Sequence, residues 1–333
     1  MRSIFISSDP KQIKRVFAPA LTETLAKEAG LSSHIYSPEE VRSHPHDFAD
    51  VTYLFSTWGM PVFEETEIRA LFPALECVFY AAGTVQSFAQ PFLHCGVKVF
   101  SAWKANAVPV AEYSVAQIIL ANKGFFATAR LASNGKRAEA DALFPHYPGN
   151  YECKVGIIGA GAIGSLVIQM LKTYRLDVMV FDPFLPPEKA EEWGVTLCSL
   201  DTLFASCQVV SNHLADNPQT VGMLNGALFE RMLPYATFMN TGRGRQVVEE
   251  DLIRTLKARP DLTALLDLTY PEPPVENSPF YSLENCILTP HIAGSAGNEV
   301  HRMAEYMHEE YTRYRTGEPT LYEVTEEMLK TMA

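Results

Sequence analysis

The stretch Lys154-Val155-Gly156-Ile157-Ile158-Gly159-Ala160-Gly161-Ala162-Ile163-Gly164 runs from an apolar, β-rich segment into three glycines spaced G-x-G-x-x-G. Alone, that spacing is weak. Here residues 155–158 read as a strand, 165–174 as the helix that follows, and 178–181 as a second strand ending in Asp182. Strand, glycine turn, helix, strand and terminal acid, in that order, are the context of a dinucleotide-binding unit. Gly159 would permit the tight turn and Gly161 the approach of a pyrophosphate. Gly164 would let the helix pack close to the sheet. The pyrophosphate would lie at the positive end of the helix. Asp182 would accept hydrogen bonds from the adenine ribose, and its charge would repel a 2′-phosphate. That favours NAD, with NADH preferred over NADPH.

Outward from this motif, short β-rich runs alternate with helical ones, the pattern of parallel α/β units. Upstream, strands are expected at 4–6, 52–55, 77–80 and 97–100, with helices such as 11–28 and 64–71. A connecting helix is expected from 110 to about 129, then a Pro/Gly-rich surface loop at 144–150. Downstream strands are expected at 155–158, 178–181, 209–212, 237–240, 264–268 and 287–289. A charged helix from about 298 to 315 is expected to pack back on the first domain. The fold class is α/β: two Rossmann/flavodoxin-like domains with parallel sheets. Residues 1–105 and 299–333 form a discontinuous substrate-binding domain, and 106–298 the NAD-binding domain.

Composition narrows the partners. The net charge of −12 gives no general attraction to nucleic acid or to an anionic membrane, so neither is expected. An anionic substrate would need local positive groups. No apolar run is long enough to cross a bilayer and no signal peptide is apparent, which points to the cytoplasm. The six cysteines are scattered without a C-x-x-C pair, as reduced core thiols would be, and no metal-ligand cluster is seen.

Three further segments each begin as a strand and end in a polar loop: Asn240-Thr241-Gly242-Arg243-Gly244, Leu266-Asp267-Leu268-Thr269-Tyr270-Pro271-Glu272-Pro273 and Leu288-Thr289-Pro290-His291-Ile292-Ala293-Gly294. In an open parallel sheet such loops share one edge. Reducing a 2-oxo acid needs a hydride, a proton donor and a grip on the carboxylate. A nicotinamide would supply the hydride, and His291 the proton, as an imidazole can in general acid–base catalysis. Glu272 would favour the imidazolium and orient the ring, and Arg243 would hold the carboxylate through two parallel hydrogen bonds. Taken singly, each has an ordinary alternative: a flexible cation for Arg243, a loop acid for Glu272, a turn cap for His291. Asp267, at the end of an apolar strand, is an uncomfortable place for an unpaired charge, and the nicotinamide amide is a candidate partner.

Together these segments resemble the D-isomer-specific 2-hydroxyacid dehydrogenase family, and Asn106-Ala107-Val108-Pro109-Val110-Ala111-Glu112-Tyr113 extends the match upstream. The resemblance implies a two-domain homodimer built around 110–147, with its active site in the interdomain cleft and a small 2-oxo or 2-hydroxy acid as substrate. It assigns Arg243, Glu272 and His291 to catalysis. The cofactor set is Gly159, Gly161, Ala162, Ile163, Gly164, Asp182, His213, Thr241, Asp267 and Gly294, with His213 a cofactor-side residue and not a second acid. The substrate set is Gly83, Thr84, Trp58 and Arg243. Gly83 would allow a backbone nest around the carboxylate, and Trp58 with Met60 would line the side-chain pocket. Thr269, Tyr270 and Ala215 depart from the family's usual residues. A different class, an NAD-sensing scaffold of the corepressor kind with little turnover, would retain the same residues. His34, His44, His46 and His94 read as surface residues, and His301 and His308 share a helix face.

Overall fold

The computed structural model describes residues 2–329; residues 1 and 330–333, part of the expected first domain, lie outside the described residues. In chain order the strands are β1 (Arg2–Ile6), β2 (Leu31–Tyr36), β3 (Val51–Ser56), β4 (Cys77–Tyr80), β5 (Lys98–Ser101), β6 (Tyr151–Ile158), β7 (Arg175–Phe181), β8 (Thr196–Leu197), β9 (Val209–Asn212), β10 (Thr237–Asn240), β11 (Thr263–Leu266), β12 (Cys286–Leu288) and β13 (Glu323–Val324). They form a six-stranded sheet, β13-β5-β4-β3-β1-β2, and a seven-stranded sheet, β12-β11-β10-β9-β6-β7-β8. By their contacts the residues divide into two units. One holds the chain up to Asn106 and from Ser295 onward, and the other is Ala107–Gly294.

In the first unit, β1 to β5 pair in parallel and β13 adds an antiparallel strand, with Glu323 opposite Phe100. β2 escapes the sequence reading because it is a polar edge strand, Leu-Ser-Ser-His-Ile-Tyr, without the apolar run of its neighbours. The helical pattern at 11–28 is two helices, Pro10–Val16 and Pro19–Ala29. Asp9 caps the first by accepting from Lys11 N, and Pro19 opens the second, where a missing N–H is harmless. The connecting helix likewise divides. Trp103–Asn122 is separated from Phe125–Ser133 by Gly124, whose φ of +66° suits glycine.

A phenylalanine ladder crosses the first sheet. Phe5, Phe55, Phe79 and Phe100 occupy paired positions on β1, β3, β4 and β5. Phe79 stacks between Phe55, at 5.1 Å between centroids, and Phe100, at 5.0 Å. Tyr311, on the helix His301–Thr316, meets Phe55 and Phe79 edge-on at 5.9 and 5.8 Å. The C-terminal helix therefore belongs to this core through the same ladder. Each such ring pair adds about 0.5–1.5 kcal/mol beyond the area it buries.

The second sheet is parallel throughout and covered on both faces. Alternation along each strand sorts its side chains. Val155, Ile157, Val209, Met239 and Leu265 join the core with Val167 and Ile168 of the helix Ala162–Leu171. Ile158, Val210, Phe238, Ala264 and Leu266 join the opposite core with Phe204, Phe229 and Phe280. Strand order reverses at β6, with β7 and β8 on one side and β9 to β12 on the other, so a crevice opens at the carboxyl end of β6.

Replacing Phe79 with Ala should destabilise the protein by about 3–5 kcal/mol, since it removes the middle rung of the ladder. Urea unfolding followed by circular dichroism tests this; an unchanged midpoint would deny the ladder its structural role.

Candidate active site

Phe181, Ile158, Asn212, Asn240, Leu266 and Leu288 are paired in one row across the second sheet. Each is the last residue of its strand. The loops carrying Asp182, Gly159, His213, Arg243, Glu272 and His291 therefore leave the sheet along one edge.

At β6 the glycines do separate jobs. Gly159 has φ +85°, and a Cβ there would lie 2.9 Å from the His213 carbonyl oxygen. A Cβ on Gly164 would lie 1.9 Å from the Gly159 carbonyl oxygen, so the helix starts against its own turn. Around Gly161 nothing lies within 4 Å of a Cβ, leaving the N-terminus of Ala162–Leu171 open. Ala162 opens the helix, and Ile163 packs partly on the core beneath it. Asp182 is already occupied: Oδ2 accepts from Ala160 N at 2.6 Å and Oδ1 from Phe184 N at 2.7 Å. It holds the glycine turn.

Arg243 sits in a loop pinned from beneath. Gln246 is fully buried, and its amide is saturated. Its Nε2 donates to the carbonyls of Leu214 and Ala215, and its Oε1 accepts from Arg243 N and Asn212 Nδ2. Asn240 Nδ2 donates to the Arg243 carbonyl at 3.1 Å. Gly244 admits close packing, since a Cβ there would lie 2.1 Å from the Thr269 carbonyl carbon. The Arg243 guanidinium donates through Nη1 to the Gly242 carbonyl at 2.8 Å, and no carboxylate among the described residues pairs with it.

His291 Nδ1 and Glu272 Oε1 lie 2.7 Å apart. Their side chains are 50% and 42% exposed, so the contact orients the ring more than it stabilises the chain. The peptide bonds Tyr270-Pro271 and Glu272-Pro273 are cis, and His291 has φ +55°, a left-handed conformation uncommon for a non-glycine residue. Asp267 holds that conformation. It is only 3% exposed, and its charge finds partners within the chain. Oδ1 accepts from Thr289 Oγ1 and Ile292 N, and Oδ2 from Ala293 N. Gly294 follows directly.

The side chain of His213 is also committed internally, with Nε2 2.9 Å from Ser211 Oγ and Nδ1 3.1 Å from Thr241 Oγ1. Thr241 is buried beside it. The His213 backbone lies against Gly159. Tyr270 is exposed, with the Arg245 guanidinium 5.7 Å from its ring centroid. Thr269 is buried and donates to the Pro271 carbonyl, and the Ala215 carbonyl accepts from Gln246. Gln246, Asn212 and Asn240 escape sequence reasoning as site residues. Their partners lie up to 34 positions away, and only the strand-end placement of the two asparagines hints at a role.

In the first unit, Gly83 and Thr84 follow β4, and Trp58 follows β3, at that sheet's own carboxyl edge. Trp58 packs partly on the core under the Arg15 guanidinium at 5.5 Å, while Met60 is buried. His34 and His94 are exposed and pair with Glu40 and Glu65, and His308 pairs with Glu28. Among the described residues no cluster of His, Cys, Asp and Glu could hold a metal ion, and no helix is long and apolar enough to cross a membrane.

Burial pushes His213 down to about 3, so it stays neutral in the folded chain. The unfolded chain takes up the proton near pH 6.5 and the folded chain does not. Its stabilising contribution is thus complete above that pH and falls as pH drops toward 3. Between pH 7 and 5, wild type should lose about 2 kcal/mol more stability than His213→Gln. Urea titrations at both pH values check this, and parallel losses would contradict it.

Residues 115–293 match the family described as D-isomer specific 2-hydroxyacid dehydrogenase, NAD binding domain. A D-3-phosphoglycerate dehydrogenase of Archaeoglobus fulgidus is 32% identical over 200 residues, 60% of this chain and 37% of that protein. The human glyoxylate reductase/hydroxypyruvate reductase is 34% identical over 154 residues, 46% of each chain. This chain thus spans less than half the length of both curated relatives. Among solved structures, a phosphoglycerate oxidoreductase from Rhizobium etli has a TM-score of 0.82 at 20% identity, covering 98% of this chain and 99% of that one. The D-lactate dehydrogenase with NAD+ from Lactobacillus jensenii scores 0.77 at 20% identity, covering 98% and 100%. At such identities the structural likeness speaks for the fold alone. The match over 115–293 takes in more than half of the sequence, and by it the chain belongs to the D-isomer specific 2-hydroxyacid dehydrogenase family.

Proposed function

We propose that this chain reduces a small 2-oxo acid to the D-2-hydroxy acid with NADH. One observation carries the reading. Arg243, without a carboxylate partner among the described residues, shares a sheet edge with the 2.7 Å Glu272–His291 pair and an open glycine turn. The turn fits a dinucleotide: it is open at Gly161, while Gly159 and Gly164 stand where no side chain fits. Bound there, NADH would supply the hydride. Arg243 binds the carboxylate and polarises the neighbouring carbonyl. With Nδ1 held by Glu272, His291 has Nε2 left to hand its proton to the carbonyl oxygen as the C–H bond forms. Glu272 offsets the positive charge of the imidazolium beforehand. In the reverse direction the same nitrogen takes the hydroxyl proton.

The reading extends to a cytoplasmic homodimer built around 110–147. Leu120, Phe125 and Phe144 expose apolar side chains there. All six cysteines are free, and burial pushes the thiols of Cys77, Cys153, Cys207 and Cys286 up, as suits reduced thiols in a cytosolic protein.

Two variants test the assignment. Replacing His291 with Ala should lower kcat by about 10²–10⁴-fold while NADH binding, followed by its fluorescence, is kept; an unaltered kcat would remove the histidine from its role. Asp182→Ala should narrow the preference for NADH over NADPH in kcat/KM, because the charge opposing a 2′-phosphate is gone. It should also weaken NADH binding, because Ala160 N loses its acceptor. An unaltered cofactor ratio would place the selection elsewhere.

A further inference from the structure

Within the second unit an unbroken line of contacts runs from the glycine turn to Arg243. A Cβ on Gly159 would lie 2.9 Å from the His213 carbonyl oxygen and 3.1 Å from Leu214 N, so the backbone at 213–214 is the wall against which the turn is built. The next carbonyls, of Leu214 and Ala215, accept from Gln246 Nε2 at 2.9 and 3.0 Å. Gln246 Oε1 in turn accepts from Arg243 N at 3.0 Å. One fully buried side chain thus bridges the wall of the turn and the backbone of the arginine. The main chain around it is secured separately. Gly222 N donates to the Arg245 carbonyl, Leu224 N to the Gln246 carbonyl and Val248 N to the Leu224 carbonyl, each at 2.9 Å. Pairing of these two loops therefore does not wait on the Gln246 amide.

Building on the reductase reading above, we propose that Gln246 is a positioning residue for that reaction. Its amide sets Arg243 at a fixed offset from the glycine turn, so that the carboxylate grip and the hydride donor stay in register. The chemistry of the bridge is restrictive. It needs two donors toward one loop and an oxygen with two free lone pairs toward the other, and a primary amide has both. A carboxylate would keep the acceptor for Arg243 N and Asn212 Nδ2 but turn a charge without donors toward two carbonyls. With all its partners inside the chain, the amide has no hydrogen bond left for a substrate and acts through Arg243 alone. A displacement of about 1 Å in a substrate-holding group is enough to cost about 10²-fold in rate.

The experiment is a double-mutant cycle on the full chain. NADH oxidation is followed with whichever of glyoxylate, pyruvate, phenylpyruvate and 3-phosphohydroxypyruvate the wild type reduces fastest, and NADH affinity is followed by fluorescence. Gln246→Glu, which keeps the acceptor and loses both donors, should lower kcat/KM by about 10²-fold, with the Kd for NADH changed by less than about threefold. In an Arg243→Ala background, where the guanidinium is already gone, the same replacement should cost less than about twofold. Should Gln246→Glu fail to fold, Thr220→Val gives the second reading. It removes the other donor to the Ala215 carbonyl, at 2.8 Å, and leaves Gln246 in place; its loss of about threefold should likewise vanish without Arg243. Equal losses with and without Arg243, or a fall in NADH affinity as large as the fall in kcat/KM, would make Gln246 ordinary structure and overturn the positioning inference, leaving the reductase reading standing. Silence of the wild type on all four acids with NADH still bound would overturn both.

Discussion

Asp267 is a carboxylate at the end of an apolar strand with almost no access to water, and the chain must solvate it from within. It does so with Thr289 Oγ1 and the N–H groups of Ile292 and Ala293. That choice fixes the segment on either side of His291, including its left-handed backbone. A buried charge left short of partners would destabilise the fold strongly. The same need therefore supports the core and sets the imidazole within reach of Glu272.

Asn240 and Asn212 obey the same rule one and two strands away. Each ends a strand in a buried position and must spend its amide on the loops. Asn212 Nδ2 serves Asn240 Oδ1 and Gln246 Oε1, and Asn240 Nδ2 reaches the Arg243 carbonyl. Saturated Gln246 closes the network. Gly242 and Gly244 are then steric requirements: a Cβ on the first would strike Gln246 Oε1 at 2.5 Å, and one on the second would strike the Thr269 backbone. The glycines flanking Arg243 keep the backbone close to its supports, and freedom for the arginine itself is not what they provide. Close backbone approach thus gives the guanidinium a defined origin.

What was legible in the sequence follows from the range of the forces involved. Strands β4, β9 and β10 have the bounds their apolar runs predict, because burial on both faces leaves a continuous local signal. The glycine turn was legible because its spacing lies within six residues, even though Gly159 is hemmed by the distant His213 carbonyl. The polar edge strand β2 and the short β13 carry no such pattern; pairing with a neighbour makes them strands. Gln246 was invisible for a related reason, since its partners at Leu214 and Ala215 are distant in sequence. Asp267 stood out only as an anomaly, a charge in an apolar run. In the structure its partners within the chain are Thr289 Oγ1 and the N–H groups of Ile292 and Ala293.

The distribution of Arg side chains ties these threads together. The proposed hydride transfer to a 2-oxo acid needs one strong cation at the carboxylate, and a free cation near the edge would be a second place for an anion to bind. The chain keeps Arg243 clear of carboxylates while Arg245, two residues on, is drawn to Asp216 and the face of Tyr270. Because Gly244 presses the backbone between them against Thr269, the two guanidinium groups leave the loop from a rigid base.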